Sequence, residues 1–421
     1  MVKLDREKLY PWLAVLRAKY MGSGRVRMLI QHFGSLEKAF RASRGELMRV
    51  PGFNEKIVDS IREAAQGKYD QWVERELKWI AREGVSILLY TDDDFPDSLR
   101  HIPSPPAILY VKGNVLPSDV ISIAIVGSRR ASGSGCRIAN QIASELCEAG
   151  LTVISGLAWG IDAAAHKGAL KTRHGRTIGV LGNGLGFVYP KEFKILYEQV
   201  KNRGALVTEL FSDVAPDARN FPPRNRIISG LTLGTLIVEA PAKSGALITA
   251  EYALEQGKEI YALPGALGQD TGEGNNRLIQ ESRAKLVTGA EDILKDLQDK
   301  IIYYKNELAG NIKKIEPYHT IEPSKPVVVQ TKPEPEPNPA TGNKSVLDEQ
   351  TAGESTLPEE RKLDFTPDET EVLKYLTDQP KHIDVICREM NWQIARVSSA
   401  LGLLELRGII EREAGMRFRI I

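Results

Sequence analysis

A chain of 421 residues is too long for one ordinary domain and predicts roughly two to four. Its formal net charge of +1 excludes a strongly basic whole-protein surface, so any site for a polyanion must be a local cluster of basic residues. The three cysteines form no CxxC pair, which favours buried thiols in a reducing compartment over disulfides or a zinc site. The sequence shows no signal peptide and no apolar run of about 18 residues, which predicts a cytoplasmic protein without membrane insertion.

Residues 1–80 show apolar positions at helical spacing, which predicts a small helical domain. Within it, the stretch RVPGF (Arg49–Phe53) places Pro and Gly between two short apolar helices. This resembles a helix-hairpin-helix (SAM-like) unit, in which the glycine turn and the next helix N-terminus can contact a phosphate. A plain turn of a helical bundle fits the same residues, and both interpretations stay open.

Residues 85–300 alternate short apolar runs with amphipathic stretches, and most runs end in glycine or another small residue. This rhythm predicts an α/β domain with an extended Rossmann-like, doubly wound and mainly parallel sheet. A ligand would lie at the carboxyl ends of its strands. The runs are SILLY, AILYV, ISIAIVG, LTVISG, TIGVLG, ALVTEL, TLIVEA and EIYALPG.

The last 110 or so residues divide into a linker and a small domain. Residues 311–361 are rich in Pro, Glu, Lys and Thr, a composition that buries too little apolar surface to fold and predicts a disordered linker. Residues 362–421 read as three helices, the first capped by Thr366 or Asp368, and then a hairpin around Ala414–Gly415. Three helices followed by a β-hairpin predict a C-terminal winged helix.

The first glycine turn of the α/β domain, AIVGSRRASGSG, carries Gly127, Ser128, Arg129 and Arg130. It lacks the GxGxxG spacing of a dinucleotide site, the chain has no GxxxxGK[ST], and the second strand does not end in an acid. Bound NAD or ATP is therefore disfavoured, and no cofactor is predicted. Free backbone N–H groups and two guanidiniums still favour phosphate recognition. Alternatively, Gly127 only permits close packing and the arginines are solvated.

The second turn, SGLAWGIDAAAHKGAL, places Asp162 and His166 four residues apart at the start of a helix. An Asp–His pair is compatible with acid–base catalysis. No Ser or Cys nucleophile stands at a recognisable spacing, so a helix cap and an ordinary hydrogen-bonded histidine are preferred. No catalytic residue and no metal site is predicted.

The third cluster, DARNFPPRNRIISGL, combines Arg219, Phe221, Arg224, Asn225 and Arg226. Single-stranded nucleic acid needs basic groups for its backbone and a ring on which a base can stack, which contributes ~1–3 kcal/mol per base. The cluster therefore predicts a contact with single-stranded nucleic acid. A core phenylalanine beside arginines at a helix start is the alternative.

A further polar turn before a helix carries Lys243, Ser244 and Gly245. Turns of this kind at one sheet edge would build a composite phosphate-binding groove rather than a closed pocket.

Six motifs carry a resemblance to a known family. They are IVGSRRAS, SGLAWGIDAAAHKGAL, GVLGNGLGFVYP, FPPRNRIISGL, EAPAKSGALITAEYALEQGKEIYALPG and GNNRLI. In their order and spacing the chain resembles the bacterial DNA-processing protein A family, also called Smf, over at least residues 85–295.

The resemblance implies a non-enzymatic protein with an extended Rossmann domain that binds single-stranded DNA and forms a homodimer. Its partner would be the RecA recombinase, which it would help to load, and it would protect incoming strands in natural transformation. Carried over by motif, the DNA contacts are Ser128, Arg129, Gly156 and the Arg219–Arg226 segment with Phe221, to which Lys191 and Lys243 are added.

Two alternative functions belong to other classes. Phosphoribohydrolases share this broad Rossmann type, but their PGGxGTxxE pattern is replaced here by APAKSGALITAE, which disfavours a nucleotide-processing enzyme. A transcription regulator would use the winged helix on duplex DNA, yet QIARVSSALGLLELRG offers only Arg396 and Arg407, few basic groups for a major-groove reader.

Overall fold

The structure is a computed structural model that falls into two compact units, Met1–Glu322 and Pro323–Ile421. It describes residues 5–266, 268–312, 366–377, 379–390, 392, 396–397, 400–401, 404, 409–413 and 417–420. Within this part of the chain, no helix is both long and apolar enough to span a membrane.

The N-terminal part of the first unit is helical, as predicted. Its helices are α1 Arg6–Arg17, α2 Ser23–Phe33, α3 Leu36–Arg41, α4 Arg44–Leu47, α5 Glu55–Ala65 and α6 Asp70–Glu83. Side-chain caps begin several of them; Ser43 and Glu46, for example, form a reciprocal capping box at α4. The buried residues of these helices form one core with Leu89, Ile108 and Tyr110 of the sheet that follows. The domain boundary at residues 80–85 stays a prediction.

The sheet of the first unit has the strand order β1-β2-β6-β5-β4-β3-β7-β8-β9. Its strands are β1 Ser86–Leu89, β2 Ile108–Gly113, β3 Ser122–Val126, β4 Thr152–Ser155, β5 Thr177–Val180, β6 Gly204–Thr208, β7 Gly234–Ile237, β8 Glu259–Ala262 and β9 Lys285–Leu286. Strand β2 runs antiparallel to β1 and β6, whereas the pairs from β6 to β9 are parallel. The part from β5 to β9 has the doubly wound Rossmann order, extended beyond β5 by three further strands. This confirms the predicted fold class.

Helices cover both faces of this sheet because its central strands are apolar on both sides. In β3, Ile123 and Ile125 belong to one buried cluster, and Ala124 and Val126 to another. The first cluster packs against α8 and α9, and the second against α11 and α12. The helices after the N-terminal part are α7 Asp97–Arg100, α8 Gly133–Glu148, α9 Ile161–Lys171, α10 Lys194–Arg203, α11 Phe221–Gly230, α12 Gly245–Glu255, α13 Glu273–Gln280, α14 Ala290–Asp296 and α15 Gln298–Ile312.

The second unit has winged-helix elements. They are α16 Pro367–Leu373, β10 Lys381–His382, α17 Ile383–Met390, β11 Ile410–Glu413 and β12 Arg417–Ile420, and the strand order is β10-β12-β11. Thr366, not Asp368, caps α16, in a capping box with Glu369. The hairpin turn at Ala414–Gly415 and most of the third predicted helix lie outside the described residues. So does the predicted linker 311–361, except its first two positions, which end α15.

Candidate nucleic-acid interface

A groove of about 560 Å³ opens beside the carboxyl ends of β3 and β7. The chain leaves β3 toward β4 on one side of this point and returns to β7 on the other, so the groove occupies the switch point where doubly wound sheets bind ligands. The predicted site residues that line it are Gly127, Ser128, Arg129, Arg130, Phe221, Arg224, Asn225, Lys243, Ser244 and Gly245. Gly156 lines a smaller adjoining recess.

The loop between β3 and α8 is held by Glu239, a residue that the sequence analysis missed. The backbone N–H of Ser128 donates to the Glu239 carbonyl at 2.6 Å, and the N–H of Ser132 donates to its carboxylate Oε2 at 2.7 Å. Glu239 is only 8% exposed. Because its carboxylate already lies at the N-terminus of α8, this helix end is not available to a phosphate. The signal in the sequence is a charged residue at the end of the apolar run TLIVEA, and this signal does not indicate which loop the carboxylate contacts.

Arg129 and Arg130 are exposed at the groove edge, and within the described structure neither forms an ion pair. The Arg129 guanidinium carbon lies 4.9 Å from the ring centre of Phe221, a cation–π arrangement. A Cβ on Gly127 would lie 2.5 Å from Ile161 Cγ1. Close packing, the alternative reading for Gly127, therefore accounts for this glycine, and its contact with DNA stays a prediction.

Phe221 begins α11 and forms an aromatic wall with Tyr189. The two ring centres are 5.7 Å apart at 39°, Phe221 is half-buried, and Tyr189 is 42% exposed. Gly182 makes room for the Phe221 ring, since a Cβ there would lie 2.7 Å from Cδ1. Tyr189 is not among the predicted site residues, although it lies in the motif GVLGNGLGFVYP.

Arg224 lies in the floor of the groove, and its guanidinium donates hydrogen bonds to backbone carbonyls of the sheet edge. Its Nη1 donates to the carbonyls of Gly156, at 2.9 Å, and Val180. Burial lowers the pKa of Arg224 to about 10, so the group stays charged at neutral pH. Burial raises the pKa of Asp162, and the Arg224 charge opposes this rise. A Cβ on Gly156 would lie 2.6 Å from both Arg224 Nη2 and Asp162 Oδ2, so this glycine leaves room for the buried charges.

The other arginines of the third cluster are also paired. Arg226 is buried and donates from both terminal nitrogens to the Glu209 carboxylate at 2.7 Å. Arg219 is exposed and bonds Asp217 at 2.6 Å, which lowers the pKa of that carboxyl to about 2. For Arg224 and Arg226 the structure supports the alternative interpretation, a structural role at a helix start, and their contact with DNA stays a prediction.

The remaining predicted residues occupy the rim. Asn225 donates to the Gly245 carbonyl at 3.3 Å, which joins the starts of α11 and α12. Ser244 caps α12 by accepting from the N–H of Ala246. Lys243 is exposed there. Lys191 is exposed after the Tyr189 segment and does not line the groove.

Asp162 and His166 form no acid–base pair. The Asp162 carboxylate accepts from the N–H groups of Gly156 and Ala158, at 3.1 and 3.4 Å. His166 Nδ1 lies 2.7 Å from Thr177 Oγ1, and burial lowers its pKa to about 3. The interpretation of His166 as an ordinary hydrogen-bonded histidine is confirmed. The predicted helix cap is wrong, because Asp162 bonds the loop before α9 and the N-cap of this helix is Gly160, without a side-chain cap. Over the described ranges, no group of three or more His, Cys, Asp or Glu residues is placed to hold a metal ion.

Comparison with known families decides where the chain belongs. The model of the family described as DNA recombination-mediator protein A matches residues 86–298. The chain belongs to this family. The DprA winged helix domain matches residues 352–416, in agreement with the elements of the second unit.

Several relatives of this chain support the assignment. Protein Smf of Synechocystis is 32% identical over 99% of both chains. DNA processing protein DprA of Bacillus subtilis is 37% identical, over 58% of this chain and 84% of its own length. The crystal structure of DprA from Streptococcus pneumoniae superimposes with a TM-score of 0.61 at 31% identity, and covers 68% of this chain and 97% of its own. The resemblance seen in the six motifs is thereby confirmed.

Proposed function

We propose that this protein binds single-stranded DNA in the groove beside β3 and β7, and that it acts in DNA processing without catalysing a reaction. The observation that carries the proposal is that guanidiniums without an ion pair lie beside an aromatic wall. Arg129 and Arg130 supply charge for the backbone, and Phe221 and Tyr189 supply faces for bases.

The groove suits a polymer better than a single nucleotide. Its α8 end, where a nucleotide phosphate would be expected, holds the Glu239 carboxylate. The basic groups lie instead along the rim, on the β3–α8 loop and before α12 at Lys243. A chain of phosphates can contact these separate positions together.

Family membership supports the finer parts of the proposal. Relatives bear the name DNA processing protein, and on this basis the protein protects incoming strands in natural transformation and helps to load RecA. A homodimer and a cytoplasmic location belong to the same proposal. The proposed direct contacts are Ser128, Arg129, Arg130, Phe221 and Lys243, with Arg224 and Arg226 as supports.

A competition gel shift tests this function. A labelled single-stranded oligonucleotide is bound, and unlabelled single strand, duplex and nucleoside monophosphate are added separately. The expected result is displacement by single strand alone. Displacement by the monophosphate would favour the nucleotide-processing alternative, and preferential displacement by duplex would favour the regulator.

Phe221→Ala and Phe221→Tyr provide the matched pair for this experiment. The alanine variant loses a stacking face and should bind about 5- to 150-fold more weakly. The tyrosine variant retains the ring and should bind like the wild type. Equal affinity of all three proteins would contradict the proposed groove.

A further inference from the structure

Trp159 is a second exposed aromatic platform near the groove. Its side chain is 49% exposed, and its ring centre lies 4.4 Å from that of Phe193. Phe193 is itself only 7% exposed, so it supports the indole from beneath. An indole held in this way offers one face to solvent. Because its rotation is already restricted, it loses little side-chain entropy when a ligand stacks on it.

The turn that carries Trp159 is joined to the arginine loop. Gly160 follows it with φ +76°, and a Cβ there would overlap the Ser128 carbonyl oxygen. The next N–H, that of Ile161, donates to the same carbonyl at 3.3 Å. Trp159 therefore has a fixed position relative to Arg129.

A small recess connects the groove with Trp159. Arg129, Tyr189 and Phe221 line both the groove and this recess. Trp159 lines the recess and also a further cleft of about 790 Å³ beside α8 and α9. The three concave surfaces adjoin one another at these shared residues.

The cleft beside α8 and α9 is basic. Arg137, Lys167 and Lys171 line it, and in the part of the chain that the structure describes none of them forms an ion pair. Glu145 is the acidic residue of the lining, and it accepts from Gln141 at 2.8 Å. Three cations without an ion pair among the described residues, beside an exposed indole, resemble the groove in their chemistry.

We propose that a single strand bound in the groove continues across Trp159 into the α8–α9 cleft. One base stacks on Trp159, and Arg137, Lys167 and Lys171 neutralise the phosphates that follow. The inference rests on the proposed function and extends its binding site. The lining residues shared between neighbouring surfaces and the positive charge favour nucleic acid over a protein surface as the occupant.

Oligonucleotide length provides the test. Full-length wild type and Trp159→Ala are titrated with oligothymidylates of about 4 and about 16 nucleotides, the range covered by single-strand sites. The variant should bind the long oligonucleotide about 5- to 150-fold more weakly. Its affinity for the short one should be unchanged, because the groove alone holds it. Tyr20→Ala, which removes a similarly exposed ring (47%) outside the three surfaces, should bind both like the wild type.

Two further variants separate stacking from charge. Trp159→Phe keeps a stacking face, so it should restore long-strand affinity while the DNA-dependent quenching of tryptophan fluorescence is lost. Lys167→Gln combined with Lys171→Gln should lower the log–log salt slope for the long strand by about 0.7 per lost contact.

The outcomes distinguish this inference from the proposed function. If Trp159→Ala loses affinity equally for the short and the long oligonucleotide, or loses affinity for neither, the proposed path across Trp159 is overturned. If Phe221→Ala also leaves both affinities unchanged, the assignment of the groove as the DNA-binding site is wrong. A changed oligomeric state of Trp159→Ala in light scattering, with DNA affinity intact, would assign the platform to protein contact and overturn the proposal.

Discussion

The arginines of this molecule differ in what they already contact. Arg224 and Arg226 are buried and bonded to carbonyls or to Glu209, whereas Arg129 and Arg130 have no ion pair among the described residues. A guanidinium that already forms hydrogen bonds or an ion pair would have to lose them before it could contact a phosphate. Existing bonds, and not closeness in the sequence, therefore decide which of these charges are available to a phosphate.

Arg129→Ala should weaken single-strand binding and reduce its salt dependence. Loss of one phosphate contact lowers the log–log slope by about 0.7. The measurement is a fluorescence titration at several salt concentrations. Arg75→Ala removes an exposed arginine of α6 that lines none of the groove, the recess and the cleft, and should change neither quantity. An unaltered slope in Arg129→Ala would show that this arginine does not contact DNA.

Arg226→Ala should act on stability. It leaves the largely buried Glu209 carboxylate without its partner, which costs about 3 kcal/mol of unfolding free energy. Urea denaturation measures this, with Arg226→Met/Glu209→Leu as the variant that removes both charges and should recover most of the loss. A stable Arg226→Ala protein with a reduced salt slope would make Arg226 a DNA contact after all.

At the scale of elements, the β3–α8 loop is held from two sides. Glu239 follows β7 and bonds the loop through its carbonyl and its carboxylate. Gly160, before α9, allows the second turn to approach the Ser128 carbonyl. The loop that carries the free arginines is thus positioned before any ligand binds, which reduces the ordering cost of binding.

Glu239→Ala should expose the N-terminus of α8 to anions. The variant should unfold at a lower temperature than the wild type, and added inorganic phosphate should partly restore its melting temperature, because an anion at a helix N-terminus contributes about 0.3–1 kcal/mol. Glu239→Gln, which still fills the position, is the control and should respond little to phosphate. The same phosphate response in all three proteins would contradict the assigned role of the carboxylate.

For the whole molecule, the groove, the recess and the cleft all belong to the first compact unit. A chain that ends after Ile312, the last residue of α15, should therefore keep most of its single-strand affinity. Fluorescence titration of this truncated protein beside the full chain measures the difference. A tenfold loss, about 1.4 kcal/mol, would place a main contact in the second unit.

Global stability should fall on acidification through His166. Its folded-state pKa of about 3 lies below the unfolded value near 6.5, so the unfolded chain takes up the proton first. The contribution is fully present above about pH 6.5 and decreases by at most about 1.4 kcal/mol per unit as the pH falls toward 3. Urea denaturation between pH 7 and 5 should show a smaller decrease for His166→Asn, and equal decreases would exclude this role.

Much of the fold was predictable because the central strands are buried on both faces and read as apolar runs. Strand β9 was not, since its residues, Lys285 and Leu286, are both exposed. The structural roles of Arg224 and Arg226 were not predictable either, because the residue type alone does not indicate whether an arginine is buried or exposed. Glu239 lies 107 residues from its partner Ser132, a separation at which no local pattern indicates a contact.

The carboxylate of Glu239 has a consequence for the protein in a living cell. Cells hold abundant free nucleotides, and an open helix N-terminus of this fold would collect them through their phosphates. With that position filled by its own side chain, a nucleotide phosphate could bind there only by displacing the Glu239 carboxylate. Under the proposed function, free nucleotides would therefore compete little with single strands for the groove.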